Sequence, residues 1–218
     1  MSRDLVIGID SSTSATKAIA WDAEGRAVAE GRVAIAMSNP LPGYFEQSPT
    51  EWWSSTAGAL KQLTAKIEAS RVAAIGISNQ RETFGFFTGD GKPLRPGMVW
   101  LDERAKLQQR RFGERFGAEQ VHAISGKPMD LLPPIYRMIW TRENEPDVFA
   151  RAERITEVHG YLTFQLTGNW ITSTASADPM GALDMREHEW SAKILDAIGV
   201  PREKMLDLVA PGIQTGAL

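Results

Sequence analysis

The chain has 218 residues, 43% hydrophobic and 23% charged, an ordinary globular composition with length for one large domain or two small ones. Its 24 basic and 27 acidic residues leave a net charge of −3, which gives no electrostatic pull towards nucleic acid or an anionic membrane. The absence of cysteine excludes disulfides and thiolate metal sites. No apolar run approaches the ~18 residues of a membrane span or the pattern of a secretory signal, so a cytoplasmic location is expected.

Residues 5–9 read as a strand buried on both faces. Residues 17–21 form a second strand and, after the turn 22–25, residues 26–36 a third, giving an N-terminal antiparallel meander. Pro40, Pro42, Gly43 and Pro49 punctuate a loop over 38–49. Residues 50–68 predict an amphipathic helix with Trp53, Ala57, Leu60, Thr64 and Ile67 on one face. Of Trp52 and Trp53, one ring is expected inside and the other near a groove. Strands follow over 72–78 and 83–87, separated by the polar junction Asn79-Gln80-Arg81-Glu82. A hairpin turn over 88–91 and a short strand over 98–100 come next. The character then turns helical, over 103–116, 118–124, 135–143, 158–166, 191–198 and 202–205, with Gly168 closing the fourth of these helices.

Three segments carry chemistry. Asp10 ends the first strand, Ser11-Ser12-Thr13-Ser14 follows, and Lys17 starts the next. A tight turn of this kind gathers backbone N–H groups into a concavity that binds phosphate oxygens. Thr13 and Ser14 add hydroxyl donors, Lys17 adds a point charge, and Asp10 suits a hydrated Mg2+, which keeps most of its waters. A plain hairpin turn with a capping aspartate fits the same residues. In Gln80-Arg81-Glu82-Thr83, Arg81 as donor and Glu82 as acceptor match neighbouring hydroxyls of a polyol, and a surface ion pair is the commoner occupation of such a pair. Asp102, where a strand passes into a helix, fits an N-cap, and Trp100 fits either a sugar-pocket wall or the core. His122, His159 and His188 are widely separated and show no metal-ligand spacing.

Further landmarks occur in order along the chain. Ile7-Gly8-Ile9-Asp10 precedes Thr13-Ser14 and Lys17; Pro42-Gly43-Tyr44-Phe45-Glu46-Gln47-Ser48-Pro49 precedes Trp52-Trp53. Gly76-Ile77-Ser78-Asn79-Gln80-Arg81-Glu82-Thr83 and Val99-Trp100-Leu101-Asp102-Glu103-Arg104 come next, then Leu166-Thr167-Gly168, Leu183-Asp184, Trp190 and the closing Thr215-Gly216-Ala217-Leu218. Over essentially the whole chain this series resembles the FGGY carbohydrate kinases, a family that includes glycerol kinases and xylulokinases.

The resemblance implies an α/β, actin-like ATPase (ribonuclease-H-like) fold, a mixed sheet with an N-terminal antiparallel meander flanked by helices. It implies that residues 1–218 are the N-terminal, substrate-binding domain of a longer kinase. The adenosine-binding domain and the catalytic aspartate then lie beyond Leu218, and the 218-residue chain alone is expected to bind sugar weakly and turn over none. The implied reaction is ATP-dependent phosphorylation of a primary hydroxyl on a ketopentose or polyol. In it, Asp10 orients Mg2+ and phosphate, Thr13, Ser14 and Lys17 hold the nucleotide phosphates, and Gln80, Arg81, Glu82 and Asp102 hold the sugar. The implied partner is a small-molecule sugar or polyol, with neither nucleic acid nor membrane, and a homodimer of the full-length protein stays open. The alternative is a non-catalytic sugar-sensing or scaffolding member of the same superfold. Two departures bear on substrate: Leu132 stands where glycerol kinases stack a tyrosine on substrate, and Arg81-Glu82-Thr83 stands where xylulokinases carry Met-His-Gly.

Overall fold

The structure, a computed structural model, describes residues 3–217. Leu218, the end of the last landmark, lies outside the described residues. The chain divides into two compact units, one of residues 3–37 and 47–80, the other of residues 38–46 and 81–217.

The first unit contains β1 (Leu5–Ser11), β2 (Ala15–Trp21) and β3 (Ala27–Ala34). After the two-residue β4 (Glu46–Gln47), which spans the junction of the two stretches, come α1 (Pro49–Thr64) and β5 (Val72–Asn79). The sheet order is β3-β2-β1-β5. β1 pairs antiparallel with β2 and β2 with β3, as the meander requires, and β5 lies parallel to β1, which makes the sheet mixed. Ile7, Ile9, Ala18, Ala20 and Ala29 form a core with Ala59 and Leu63 of α1.

Two expectations are corrected here. β1 is buried on one face only: Leu5, Ile7 and Ile9 point inward, whereas Val6 is 47% exposed. Strand side chains alternate, and within this unit α1 covers one side of the sheet. The inward face of α1 is also one position away from the apolar series. Trp52, Ser55, Thr56, Ala59 and Leu63 are buried, while Trp53, Ala57 and Leu60 are partly exposed and Thr64 is exposed. The reason is polar. The Trp52 indole donates to Gln47 (3.0 Å), Ser55 pairs with Thr16 (2.7 Å) and Thr56 donates to the Trp52 carbonyl (2.7 Å), so hydroxyl residues are satisfied inside. The split of the tryptophan pair follows, with Trp52 inside and Trp53 part-exposed.

In the second unit β6 (Phe84–Phe87), β7 (Gly97–Met98) and β8 (Arg154–Glu157) join β4 in a sheet ordered β4-β7-β6-β8. Helices α2 (Lys106–Phe116), α3 (Ala118–Ser125), α4 (Ile135–Asn144), α5 (Pro146–Arg151) and α6 (Val158–Thr167) supply most of the rest. Gly168, in left-handed conformation (φ 77°), ends α6 as expected. Next come β9 (Ile171–Ser173) and α7 (Thr174–Ala177). After them come β10 (Leu183–Asp184), β11 (Glu189–Trp190), α8 (Ala192–Ile198) and β12 (Asp207–Val209). Phe84, Phe86, Met98, Phe112, Tyr136 and Trp190 are among the buried residues of its core. α5 and β8 have no counterpart in the sequence reading. The pairing of β8 with β6 joins residues about seventy apart, a contact that local periodicity does not encode.

The closest helix–sheet approach in the first unit rests on Gly31. A Cβ there would sit 2.0 Å from the Ala59 carbonyl oxygen, whereas one on Gly76 would meet nothing within 4 Å. Gly31→Val should therefore lower the stability of the 218-residue chain by about 1–3 kcal/mol through overpacking, with Gly76→Ala near neutral, both measured by urea unfolding. Equal effects at the two positions would contradict this packing.

Candidate functional site

The first group of candidate residues lies at the β1–β2 turn. The Ser12 N–H and hydroxyl both donate to the Ala15 carbonyl (3.0 and 2.9 Å), which closes the turn tightly. The turn is braced from within its own unit: the Gln47 amide donates to the Thr13 carbonyl (2.6 Å), and the Ile35 N–H to the Ser14 carbonyl (3.0 Å). The Gln47 side-chain oxygen in turn accepts from the Trp52 indole (3.0 Å) and the Gln80 amide (2.8 Å). Gln80, expected at the sugar, is thus only 7% exposed and belongs to the bracing of the turn.

Asp10 is exposed at the end of β1, with Lys17 of β2 opposite on one side and Ser78 of β5 on the other. Lys17 also lies 3.5 Å from Glu30, an exposed pair that contributes little stability. Among the described residues no cluster of three or more acidic, histidine or cysteine side chains could cage a metal. One exposed carboxylate suits Mg2+ arriving with a nucleotide, where waters and phosphate oxygens fill most positions. The donor set fits that ion and no dedicated protein cage.

The second group lies in the other unit, which begins within the polar junction at Arg81. Glu82 has φ 52°, one of two non-glycine residues in the left-handed region among those described. For a side chain with a Cβ that conformation costs about 1–2 kcal/mol, and it persists only where surroundings hold it. What holds it is Arg137 of α4. This arginine is fully buried, and its guanidinium donates to three loop carbonyls: Glu82 (2.8 Å), Val99 (2.5 Å) and Leu132 (2.5 Å). Burial lowers its pKa to about 10, opposed by the charges of Asp102 and Glu82, so it stays cationic at neutral pH. One side chain thereby gathers the strained Glu82 and the loops that lead to Trp100 and Leu132, both of which expose apolar side chains. The Thr83 hydroxyl accepts from the Trp100 N–H (3.2 Å), tying the indole's backbone to the residue that follows Glu82.

The Glu82 carboxylate is partly buried, and desolvation raises its pKa against the pull of Arg81, Lys127 and Arg137. Arg81 lies 3.6 Å from Glu82 and also reaches Asp178 (3.2 Å), which Lys127 contacts at 2.6 Å. Two carboxylates and two cations therefore meet around a left-handed backbone turn. Such a group offers donors and acceptors side by side, the chemistry that binds vicinal hydroxyls.

Asp102 has a different occupation. It is 1% exposed, and α2 begins at Lys106 with Ala105 at its N-cap, so the N-cap expectation is corrected. Its carboxylate accepts from the Phe45 N–H (2.8 Å) and from Arg104 through Nε and Nη2 (2.8 Å each). Arg104 also pairs with Glu46 (2.7 Å), which Arg95 contacts as well, and it stacks between Tyr44 (4.0 Å) and Trp140 (5.0 Å). The Glu103 N–H donates to the Gly43 carbonyl (2.8 Å). Residues 43–46 and 102–104, from two of the landmark segments, are thus bolted to each other, and Asp102, expected at the sugar, is engaged within the protein. Arg137, Lys127 and Asp178 carried no weight in the sequence reading. Arg137 was detectable as a lone charge within Ile135-Tyr136-Arg137-Met138-Ile139, and Asp178 as an Asp-Pro step; Lys127 had no local signal beyond following Gly126.

Replacing Arg137 by Met keeps the volume and orphans three carbonyls. The expected loss is about 3–5 kcal/mol in urea unfolding, with Arg137→Lys in between because an ammonium lacks the planar fork. A loss under about 1 kcal/mol for Arg137→Met would contradict the stapling role.

Residues 5–218 match the model of the FGGY family of carbohydrate kinases, N-terminal domain. The chain is 30% identical over 206 residues to a glycerol kinase of Thermococcus gammatolerans, covering 90% of this chain and 41% of that protein. It is 29% identical over 215 residues to a xylulose kinase of Lactococcus lactis, covering 97% and 42%. The crystal structure of gluconate kinase from Lactobacillus acidophilus superposes with a TM-score of 0.89 at 28% identity, over 95% of this chain and 42% of that one. The chain thus spans about two fifths of the length of these relatives. The family match over residues 5–218 shows that the chain belongs to the FGGY family of carbohydrate kinases, with the actin-like fold of its members.

Proposed function

We propose that this chain is the N-terminal, substrate-binding part of a kinase that transfers the terminal phosphoryl group of ATP to a primary hydroxyl of a sugar or polyol. The observation that carries the reading is Glu82: a carboxylate held in a costly backbone conformation, partly desolvated and beside Arg81. Strain kept at a residue whose side chain faces a polar cluster is characteristic of a binding site. In this reading Arg81 donates to substrate oxygens and Glu82 accepts from its hydroxyls, fixing the acceptor's orientation. Trp100 and Leu132 offer the apolar surface against carbon–hydrogen faces of the sugar. Asp102 and Gln80 act as supports, since their polar atoms are engaged within the protein.

At the β1–β2 turn, Thr13, Ser14 and Lys17 bind phosphate oxygens, and Asp10 orients the waters of Mg2+. The metal supplies charge neutralisation for the transferring phosphoryl group, whose loose transition state asks the protein mainly for positioning. The proton acceptor is proposed to lie outside these 218 residues. The relatives that include glycerol and xylulose kinases support the substrate class, while Leu132 speaks against a plain glycerol site and Arg81-Glu82 against a plain xylulose site.

The test is sugar-dependent ADP release by the full-length protein across a panel of polyols, ketopentoses and aldonates. At least one should be phosphorylated, and Glu82→Gln should lower kcat/KM by about 10- to 100-fold, the cost of a lost charge-assisted acceptor. No ADP release with any member of the panel would reject the reading. Glu82 also sets a pH dependence. Its folded pKa is raised, so the stability it contributes is present below its unfolded pKa and lost as pH rises through the folded one. Ionised Glu82 is the acceptor, so KM for sugar should rise as pH falls through a window above the usual carboxylate range. Glu82→Gln should flatten that limb and raise Tm at neutral pH. An acid limb unchanged in Glu82→Gln would contradict the assignment.

A further inference from the structure

Arg81 is a long side chain, 57% exposed, and nothing in its own sequence neighbourhood fixes its direction except Glu82 at 3.6 Å. Its closer partner is remote in sequence: Asp178, 3.2 Å from Nη2. Asp178 is itself held. The Lys127 ammonium lies 2.6 Å from each of its carboxylate oxygens, and both side chains are far less exposed than Arg81, at 16% and 20%. The backbone beneath is rigid for stated reasons. Asp178 opens a single helical turn, 178–180, ended by Gly181 in left-handed conformation (φ 82°). A Cβ on Gly181 would sit 2.7 Å from Pro133, so this turn packs directly onto the segment whose Leu132 carbonyl Arg137 holds. Lys127 follows Gly126, the left-handed cap (φ 66°) that closes α3.

We propose that Asp178, locked by Lys127, is a positioning residue that aims the Arg81 guanidinium at the substrate. The proposal rests on the sugar-kinase reading for its functional consequence. The guanidinium carries five donors. Nε faces Glu82 and Nη2 faces Asp178, which leaves Nη1 as the donor group turned to a ligand. Without Asp178 the fork swings freely, and the substrate must order it at the cost of rotamer entropy. Misplacement on the scale of an ångström at a positioning group is enough to cost one to two orders of magnitude. Lys127 neutralises the second carboxylate, so Glu82 does not face an uncompensated like charge.

The test uses full-length protein with Asp178→Ala, Arg81→Ala and the double variant, assayed for KM of sugar, KM of ATP, kcat and Tm. Asp178→Ala should raise KM for sugar ~10-fold, leave kcat and KM for ATP within about twofold, and shift Tm by less than about 4 °C. Because Asp178 acts through Arg81, it should add nothing in the Arg81→Ala background, and Asp178→Glu should recover part of the loss. An unchanged KM for sugar, or a full additional effect in the double variant, would overturn the proposal. A second readout is independent of turnover: the 15N signal of Arg81 Nε should be ordered in the natural protein and motionally averaged in Asp178→Ala. Ordering retained in Asp178→Ala would also overturn it. Absence of sugar phosphorylation by the unaltered protein would reject the kinase reading alone, and the NMR comparison would still decide the positioning of Arg81.

Discussion

The second unit depends on one buried guanidinium. Arg137 has left water entirely and faces three backbone carbonyls. A buried charge without partners is costly, so these bonds are obligatory for the side chain to stay where it is. The dependence runs both ways. The carbonyls belong to three loops far apart in sequence, and the planar fork of arginine meets them together. Glu82 keeps its left-handed conformation because its carbonyl is held there. A site of exposed polar groups is thereby built on a support that solvent does not reach.

The same division of labour recurs elsewhere. Asp102, Arg104, Glu46 and Arg95 form a chain of buried charges, and the Tyr44 and Trp140 rings enclose the central guanidinium. Burial opposes the charge on Arg104, and its bonds to Asp102 and Glu46 more than offset this, holding its pKa above the ordinary value. In the first unit Gln47 plays the corresponding part, neutral where the other is charged, bonding Thr13, Trp52 and Gln80 at once. In such a network the low local dielectric strengthens each bond that is made, and Asp102, Arg104 and Glu46 are joined donor to acceptor.

The meander, the crossover helix and the strand after it were legible because their signals are local: alternation, turn residues and helical spacing. So was the Arg81-Glu82 step, since two opposite charges between apolar strands stand out. The inward face of α1 was misread because its buried positions include Ser55 and Thr56, whose hydroxyls are satisfied only by tertiary partners. Asp102 was misread for the same reason, because Phe45, whose N–H it accepts, arrives only through folding. Asp178 reaches Arg81 across 97 residues and Lys127 reaches Asp178 across 51, and no spacing rule spans such distances. What the sequence resemblance located was a set of landmarks; the structure divides them into those that face outward and those that hold the outward ones in place.

Glu82 carries the account, since its strain and desolvation both work against folding, and the proposed sugar contact gives them a use. The most direct measurement is a crystal structure of the full-length protein with its best polyol or ketose substrate. The account predicts sugar hydroxyls within hydrogen-bond distance of the Glu82 carboxylate and the Arg81 guanidinium, with Glu82 still left-handed and Arg137 still on its carbonyl. A sugar bound elsewhere, or an Arg81-Glu82 step relaxed into ordinary backbone with no ligand contact, would contradict it.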